Sequence, residues 1–158
     1  MYRKFLKNFA AVSVILLILA AGLVVLFDPF FHYHEPVGPL KAVLTKKEYQ
    51  SIGTIRNFSY DSLIMGSSTA ENFNNRWFDD AFGVTAVKAI KSSGVTAQLD
   101  YYMEQAFESR KIKMVFYSLD LFALGGDPDI EFPDESMPLY LYDRNPFTDV
   151  NYVLNKDV

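Results

Sequence analysis

The chain has 158 residues, half of them apolar and 16% aromatic, which bounds it to about one domain with a packed core. Its net charge is −4 and its pI near 5.1, and no basic stripe accompanies the aromatic residues, so nucleic acid is not an expected partner. The absence of cysteine excludes disulfides, thiolate catalysis and zinc–thiolate sites.

From Phe9 to Phe27 the sequence reads FAAVSVILLILAAGLVVLF, 19 residues without a charge. About 20 apolar residues span the hydrocarbon core of a bilayer as a helix. A cleaved signal has a shorter apolar region. Ala20, Ala21 and Gly22 supply small residues for cleavage, but the apolar run continues past them. Residues 1–27 are therefore read as a cytoplasmic stub and an uncleaved transmembrane anchor, with a cleaved signal as the competing reading. Membrane lipid would be met by residues 9–27. Arg3, Lys4 and Lys7 precede the span and no acid appears before Asp28, which places the N-terminus in the cytoplasm and the rest outside the membrane. Phe27, Phe30, Phe31 and Tyr33 are expected as an aromatic collar at the membrane interface.

Residues 28–44 read as a juxtamembrane linker, because Pro29, Pro36 and Pro39 remove backbone donors. Thr45 and Glu48 form a T-x-x-E capping box, which predicts a helix from near Lys46 that ends at Gly53 or Asn57. Asp61–Met65 is a short apolar run suited to a buried strand. Asn72–Phe82 carries Phe73, Trp77, Phe78, Ala81 and Phe82 at helical spacing, and Gly83 closes that helix. Val84–Ile90 is β-prone, Ser92–Gly94 is a turn, and Val95–Arg110 is helical through Leu99, Tyr102, Met103, Ala106 and Phe107. Lys113–Leu119 is the clearest strand. An acidic loop follows between Asp127 and Glu135, and Asn145-Pro146 predicts a final helix running to the terminus.

Alternation of strand and helix predicts an α/β domain over residues 45–158, with a parallel three-layer, flavodoxin-like or SGNH-like sheet preceded by one transmembrane helix. Three strands make a thin sheet, so the domain is expected to be incomplete, the front half of a longer protein.

In a parallel sheet chemistry gathers at the carboxyl ends of the strands. Gly66-Ser67-Ser68 ends the first strand, Ser92–Gly94 the second and Ser118–Asp120 the third. A serine hydroxyl is a weak nucleophile that needs a base and backbone donors for the oxyanion. Ser68 is the candidate nucleophile, with its own amide and that of Gly94 as candidate oxyanion donors. The competing reading is a plain strand-to-helix connection, for which Gly and Ser are favoured on backbone grounds. The stretch G-S-S-T-A fits a relaxed G-x-S-x-A nucleophile elbow, with Ala70 in place of the second glycine. Neither a phosphate-loop nor a dinucleotide glycine pattern is present, and no cofactor is expected.

The segments YDSLIMGSSTAENF, VKAIKSSGVTAQLDYYMEQAF, VFYSLDLFAL and PLYLYDRNPFTDVNYVLNKDV resemble Firmicutes membrane-anchored proteins of SGNH-hydrolase-like type. More distantly they are similar to the D-alanyl-lipoteichoic-acid D-alanyl-transfer protein. The likeness runs from the anchor onward and corresponds to the N-terminal half of such proteins. SGNH enzymes use a G-D-S turn, a glycine in a second block, an asparagine in a third and a late D-x-x-H. The resemblance implies Ser68 as nucleophile, Ser67 in the aspartate's place, and Gly66, Gly94 and Asp120 lining the site. Asp120 stands where asparagine is expected, and an ionised carboxylate only accepts. No histidine follows His34, so the resemblance implies that the base lies beyond Val158 and that this chain by itself is inactive. It also implies a serine esterase or acyltransferase acting on cell-envelope polymers, with a cell-wall polymer or an envelope acyltransferase as partner. A non-catalytic anchored binding or assembly module is the alternative.

Lesser candidates have plainer readings. His32 and His34, near Asp28 and Glu35, could ligate a metal, but an interfacial or solvated role in a proline-rich linker is preferred, and no metal is expected. Asp127, Asp129 and Glu131 resemble part of a calcium loop yet lack its glycine and final glutamate, so a solvated loop is expected. Tyr140, Tyr142 and Phe147 read as core or cover, and Lys88 and Lys91 as a solvated strand end.

Overall fold

The structure is a computed structural model and describes residues 2–40 and 42–155. Helix α1 spans Tyr2–Phe27, and none of its residues is fully buried within the protein. It is long and apolar enough to cross a bilayer.

After α1 the chain runs through α2 (Lys47–Asn57), β1 (Ser62–Gly66), α3 (Ser68–Glu71), α4 (Asn75–Phe82), β2 (Ala86–Ile90), α5 (Thr96–Ser109) and β3 (Met114–Ser118). A 3-10 turn at Leu121–Gly125 and two single-turn helices, α6 (Leu139–Tyr142) and α7 (Val150–Val153), complete it. The strands form one parallel sheet in the order β2-β1-β3, with Ile64 facing Lys88 on one side and Phe116 on the other. Every residue of central β1 is buried, as expected of a strand covered on both faces. Leu63, Met65, Val87, Ala89 and Val115 pack with Ile52 and Ile55 of α2 and Leu99, Tyr102 and Ala106 of α5. On the opposite face Phe116 meets Phe78 and Phe82 of α4, at ring-centroid distances of 4.7 and 5.0 Å. The outer edge of β2 is covered by side chains. Asn75 and Asp79 bond the carbonyl and amide of Ala86 at 2.8 Å each, and Ser51 Oγ bonds both backbone groups of Ile90 at 3.2 Å. Such capping blunts an edge that would otherwise recruit another strand.

Several expectations fail for identifiable reasons. The Thr45–Glu48 capping box does not form. Gln50 Oε1 instead accepts the amides of Thr45 and Lys46 at 2.7 and 2.9 Å, and those donors need no second acceptor. The helix expected over 72–82 starts at Asn75, because Asn74 takes the N-cap and accepts the Arg76 amide at 3.1 Å. Trp77 and Phe82 of its apolar stripe stay 62% and 53% exposed. The long final helix is replaced by α6, a turn and α7. Asn145 and Asp143 side chains accept local amides and the Thr148 hydroxyl, closing turns where a helix N-terminus was expected. Residues 156–158 of that expected helix lie outside the described residues.

The largest departure is just after α1, where the membrane exit was expected. The collar residues Phe30 and Phe31 are 3% and 5% exposed and belong to the protein interior. Phe30 packs on Tyr49 and Tyr152, and Phe31 on Phe58 at 5.0 Å. Gly53 of α2 makes room for this, since a Cβ there would overlap the carbonyl groups of Phe30 and Phe31. Asp28, itself buried, accepts the backbone amides of His32, Tyr33 and His34 at 2.9, 2.7 and 2.8 Å. It also accepts the Tyr152 hydroxyl at 2.6 Å, and that hydroxyl in turn accepts the Phe30 amide at 3.2 Å. Asp149 accepts from the Tyr33 hydroxyl and pairs with His32 Nε2, each at 3.1 Å. Segment 28–35 is thus a bonded part of the domain.

Both ring nitrogens of His34 face carbonyl oxygens, Nδ1 that of Glu35 at 2.6 Å and Nε2 that of Val25 at 2.9 Å. Carbonyls only accept, so the doubly protonated imidazolium satisfies both contacts. The Glu35 carbonyl first, then that of Val25 and the charge of Asp28, raise the His34 pKa above its ordinary 6.5, against the opposing effect of burial. Because the folded value is the higher one, the stabilisation is complete below about pH 6.5 and is lost as pH rises through the folded value. The expected NMR titration of the His34 ring therefore lies above that of a free histidine, and His34→Gln abolishes this pH dependence of stability. Tyr152→Phe removes a hydrogen bond to a buried carboxylate and is expected to cost about 1.5–3 kcal/mol, read from chemical denaturation of the detergent-solubilised chain.

Candidate functional site

Because β1 connects to β2 on one side while β3 lies on the other, the strand order reverses at β1. Ligand crevices of open α/β sheets form at such a switch point, outside the carboxyl ends of the strands. Here that place lies between the ends of β1 and β3, where Gly66 faces Ser118 in register.

Gly66 adopts φ +155, and a Cβ on it would come within 2.9 Å of both Ala70 Cβ and Ser118 Cβ. The turn closes this tightly only because position 66 has no side chain. Ser67 is extended and N-caps α3, its Oγ accepting the Thr69 amide at 3.5 Å. Ser67 is 1% exposed, and its hydroxyl donates to Asp120 Oδ2. Thr69 Oγ1 also donates to Asp120, at 3.2 Å to one oxygen and 3.1 Å to the other, and lies 3.4 Å from Ser118 Oγ. The exits of β1 and β3 are therefore joined by a carboxylate held between two hydroxyls.

Ser68, the first residue of α3, is exposed, between buried Ser67 and exposed Thr69. Gly94 is buried at the exit of β2, and its amide donates to the Lys91 carbonyl at 3.0 Å, closing that turn. The structure thus joins Ser67 and Asp120 beside Gly66, leaves Ser68 at the surface next to them, and engages the Gly94 amide in its own turn. Thr69 was missed by the sequence reading. The only signal for it was its position within the G-S-S-T-A stretch.

Other expected roles also shift. Lys88 Nζ donates to the Glu71 carbonyl at 2.7 Å, and burial lowers its pKa, so it is not a solvated strand end. Lys91 Nζ donates to the Ser92 carbonyl at 3.2 Å. Tyr142 is core, its hydroxyl bonded to that of Tyr102 at 2.8 Å, whereas Phe147 is 87% exposed. His32 and His34, bonded as described above, lie in the segment after α1.

Two hollows flank this region. A groove of about 360 Å³ lined by Phe73, Phe78, Phe116, Tyr117 and Ser118 reaches the hydroxyl cluster at Ser118. A roomier cavity of about 720 Å³ lies among the exit segment, α2, the end of α3 and β2, with Glu35, Phe58, Glu71 and Lys88 on its walls, and Ser68 is not among its lining residues. Position at the switch point, rather than volume, selects the serine turn as the candidate site.

The Ser67–Asp120 bond yields a direct expectation. Ser67→Ala and Asp120→Ala should each destabilise the chain, by about 1–3 kcal/mol for Asp120→Ala because the buried hydroxyl loses its acceptor. In the double mutant the two losses should fail to add, leaving a coupling of about 0.5–3 kcal/mol by denaturant titration. Compared with family models, curated proteins and solved structures, the chain matches none.

Proposed function

We propose that the chain is part of a membrane-anchored, SGNH-like serine esterase or acyltransferase that acts on cell-envelope polymers from outside the membrane. The observation that carries this reading is the exposed Ser68 hydroxyl at the β1–β3 switch point, on a turn fixed by the Ser67–Asp120 bond. Arg3, Lys4 and Lys7 before the span support a cytoplasmic N-terminus. The bonded exit supports a retained anchor over a cleaved signal, since Val24 packs on the domain core and Val25 bonds His34.

In this mechanism Ser68 Oγ attacks the ester carbonyl carbon while its proton passes to a base. The tetrahedral oxyanion collapses, the alcohol leaves with a proton, and an acyl-serine remains for water or an acceptor hydroxyl. Asp120 serves as a positioning residue. Ionised, it accepts from Ser67 and Thr69 and has no proton to offer an oxyanion. Neither histidine serves the serine turn as its base: His32 pairs with Asp149 and His34 bonds the Glu35 and Val25 carbonyls, both in the exit segment. This chain alone should therefore be inactive on esters.

The same Asp120 bonding favours a second reading, a non-catalytic anchored module that holds a glycan or assembly partner at the crevice. Fluorophosphonate labelling separates the two. Under the first reading the full-length protein is labelled and Ser68→Ala removes the label, whereas undiminished labelling of the variant sinks it. Hydrolysis of p-nitrophenyl acetate by the 158-residue chain, dependent on Ser68, would overturn the expectation that its base lies elsewhere.

A further inference from the structure

Three apolar side chains close to the membrane exit face solvent. Phe147 is 87% exposed, Val150 52% and Leu154 55%. Their segment cannot turn away from the anchor. Tyr152, between Val150 and Leu154, is fully buried and donates to Asp28 at the end of α1. Asp149, two residues from Phe147, holds His32 and Tyr33. Pro146 and Asp149 line a crevice with His32 and Tyr33, which places Phe147 at the exit, and α7 itself touches α1. Buried bonds on one side of this segment therefore fix what its other side presents.

We propose that Phe147, Val150 and Leu154 form a membrane seat that rests in the outer leaflet of the bilayer spanned by α1. This rests on reading α1 as a retained anchor. Lipid is the occupant because the patch lies beside α1, a helix of membrane length whose apolar side chains are exposed. Leu23, Leu26 and Phe27 in the last turns of α1 are 55%, 54% and 54% exposed, and α7, with Val150 exposed, lies against α1. Apolar side chains gain about 25 cal/mol for each Å² removed from water, and an interfacial segment needs only to enter the headgroup–acyl boundary to collect it. The anchor supplies the proximity, so the seat acts at high effective concentration. The seat also takes the place of the expected collar, whose Phe30 and Phe31 are buried in the domain. Its consequence is orientation: the domain is held on the membrane by two attachments and does not swing on one helix.

The chain has no cysteine, so single nitroxide labels are unambiguous. The full 158-residue chain, reconstituted in phosphatidylcholine–phosphatidylglycerol vesicles, carries one label at a time through Leu17→Cys, Phe147→Cys, Leu154→Cys or Asp127→Cys. Collision with molecular oxygen is compared with collision with a water-soluble nickel chelate present on both sides of the membrane. Labels at 147 and 154 are expected to favour oxygen, shifted towards the value at 17 and away from the aqueous value at 127. If they match 127 while 17 stays shielded from nickel, the seat is wrong and the anchor stands. If 17 itself is open to nickel, the anchor reading fails and takes the seat with it.

Discussion

The carboxylate of Asp28 is the interaction on which the arrangement depends. It follows directly on an apolar helix, it is buried, and it accepts four hydrogen bonds, three from the backbone of the next six residues and one from Tyr152. A carboxylate removed from water carries a penalty of several kcal/mol unless its lone pairs are satisfied. Here they are, by donors that can converge only when residues 28–34 coil back on themselves and α7 docks over them. Asp28 at φ 42 and Phe31 at φ 58 are the backbone conformations this coiling requires. The positive φ of Phe31 is unfavourable for a bulky residue and is held by its buried ring and by Asn57, which donates to the Phe31 carbonyl at 2.7 Å.

The consequence for function is mechanical. An apolar helix followed by a proline-containing linker would leave the domain free to rotate relative to that helix. A helix whose last turn is bonded to His34, and whose next residue is bonded to Tyr152, gives the domain a fixed attitude relative to that helix instead. The hydroxyl–carboxylate cluster at the strand exits belongs to the same body through the sheet, since α2 packs on β2 and β2 pairs with β1, which ends at Gly66. α2 also carries the exit segment, with Gln50 donating to the Pro29 carbonyl at 2.9 Å and Asn57 to those of Phe31 and His32. One helix, α2, thus connects the segment after α1 to the sheet that carries Ser68.

Asp120 at the exit of β3 is the second organising carboxylate, and it works differently. It stands at the surface and draws the buried Ser67 and the exposed Thr69 towards it, which pins both ends of the first turn of α3. Ser68 lies between two held neighbours and is itself exposed. That is a means of presenting a group, whether for attack on an ester or for contact with a ligand.

The sequence by itself determined the features that depend on local chemistry. An uncharged run of 19 residues is a helix of membrane length wherever it sits, and alternating β-prone and amphipathic segments leave a parallel sheet with helices on its faces as the economical packing. The glycine-serine turn at 66–68 was legible because a strand cannot pass into a helix so sharply around a Cβ, and Gly83 closed its helix at φ 65 as expected. What only the tertiary structure decided involves partners far apart in the chain. Asp28 meets Tyr152 across 124 residues and Ser67 meets Asp120 across 53, and no local periodicity encodes either meeting. For the same reason Phe30 and Phe31 read as interfacial and proved to be interior, while Phe147 read as core or cover and proved exposed. An aromatic ring carries the same hydrophobic drive in each setting, and its destination is set by which surface the rest of the fold brings against it.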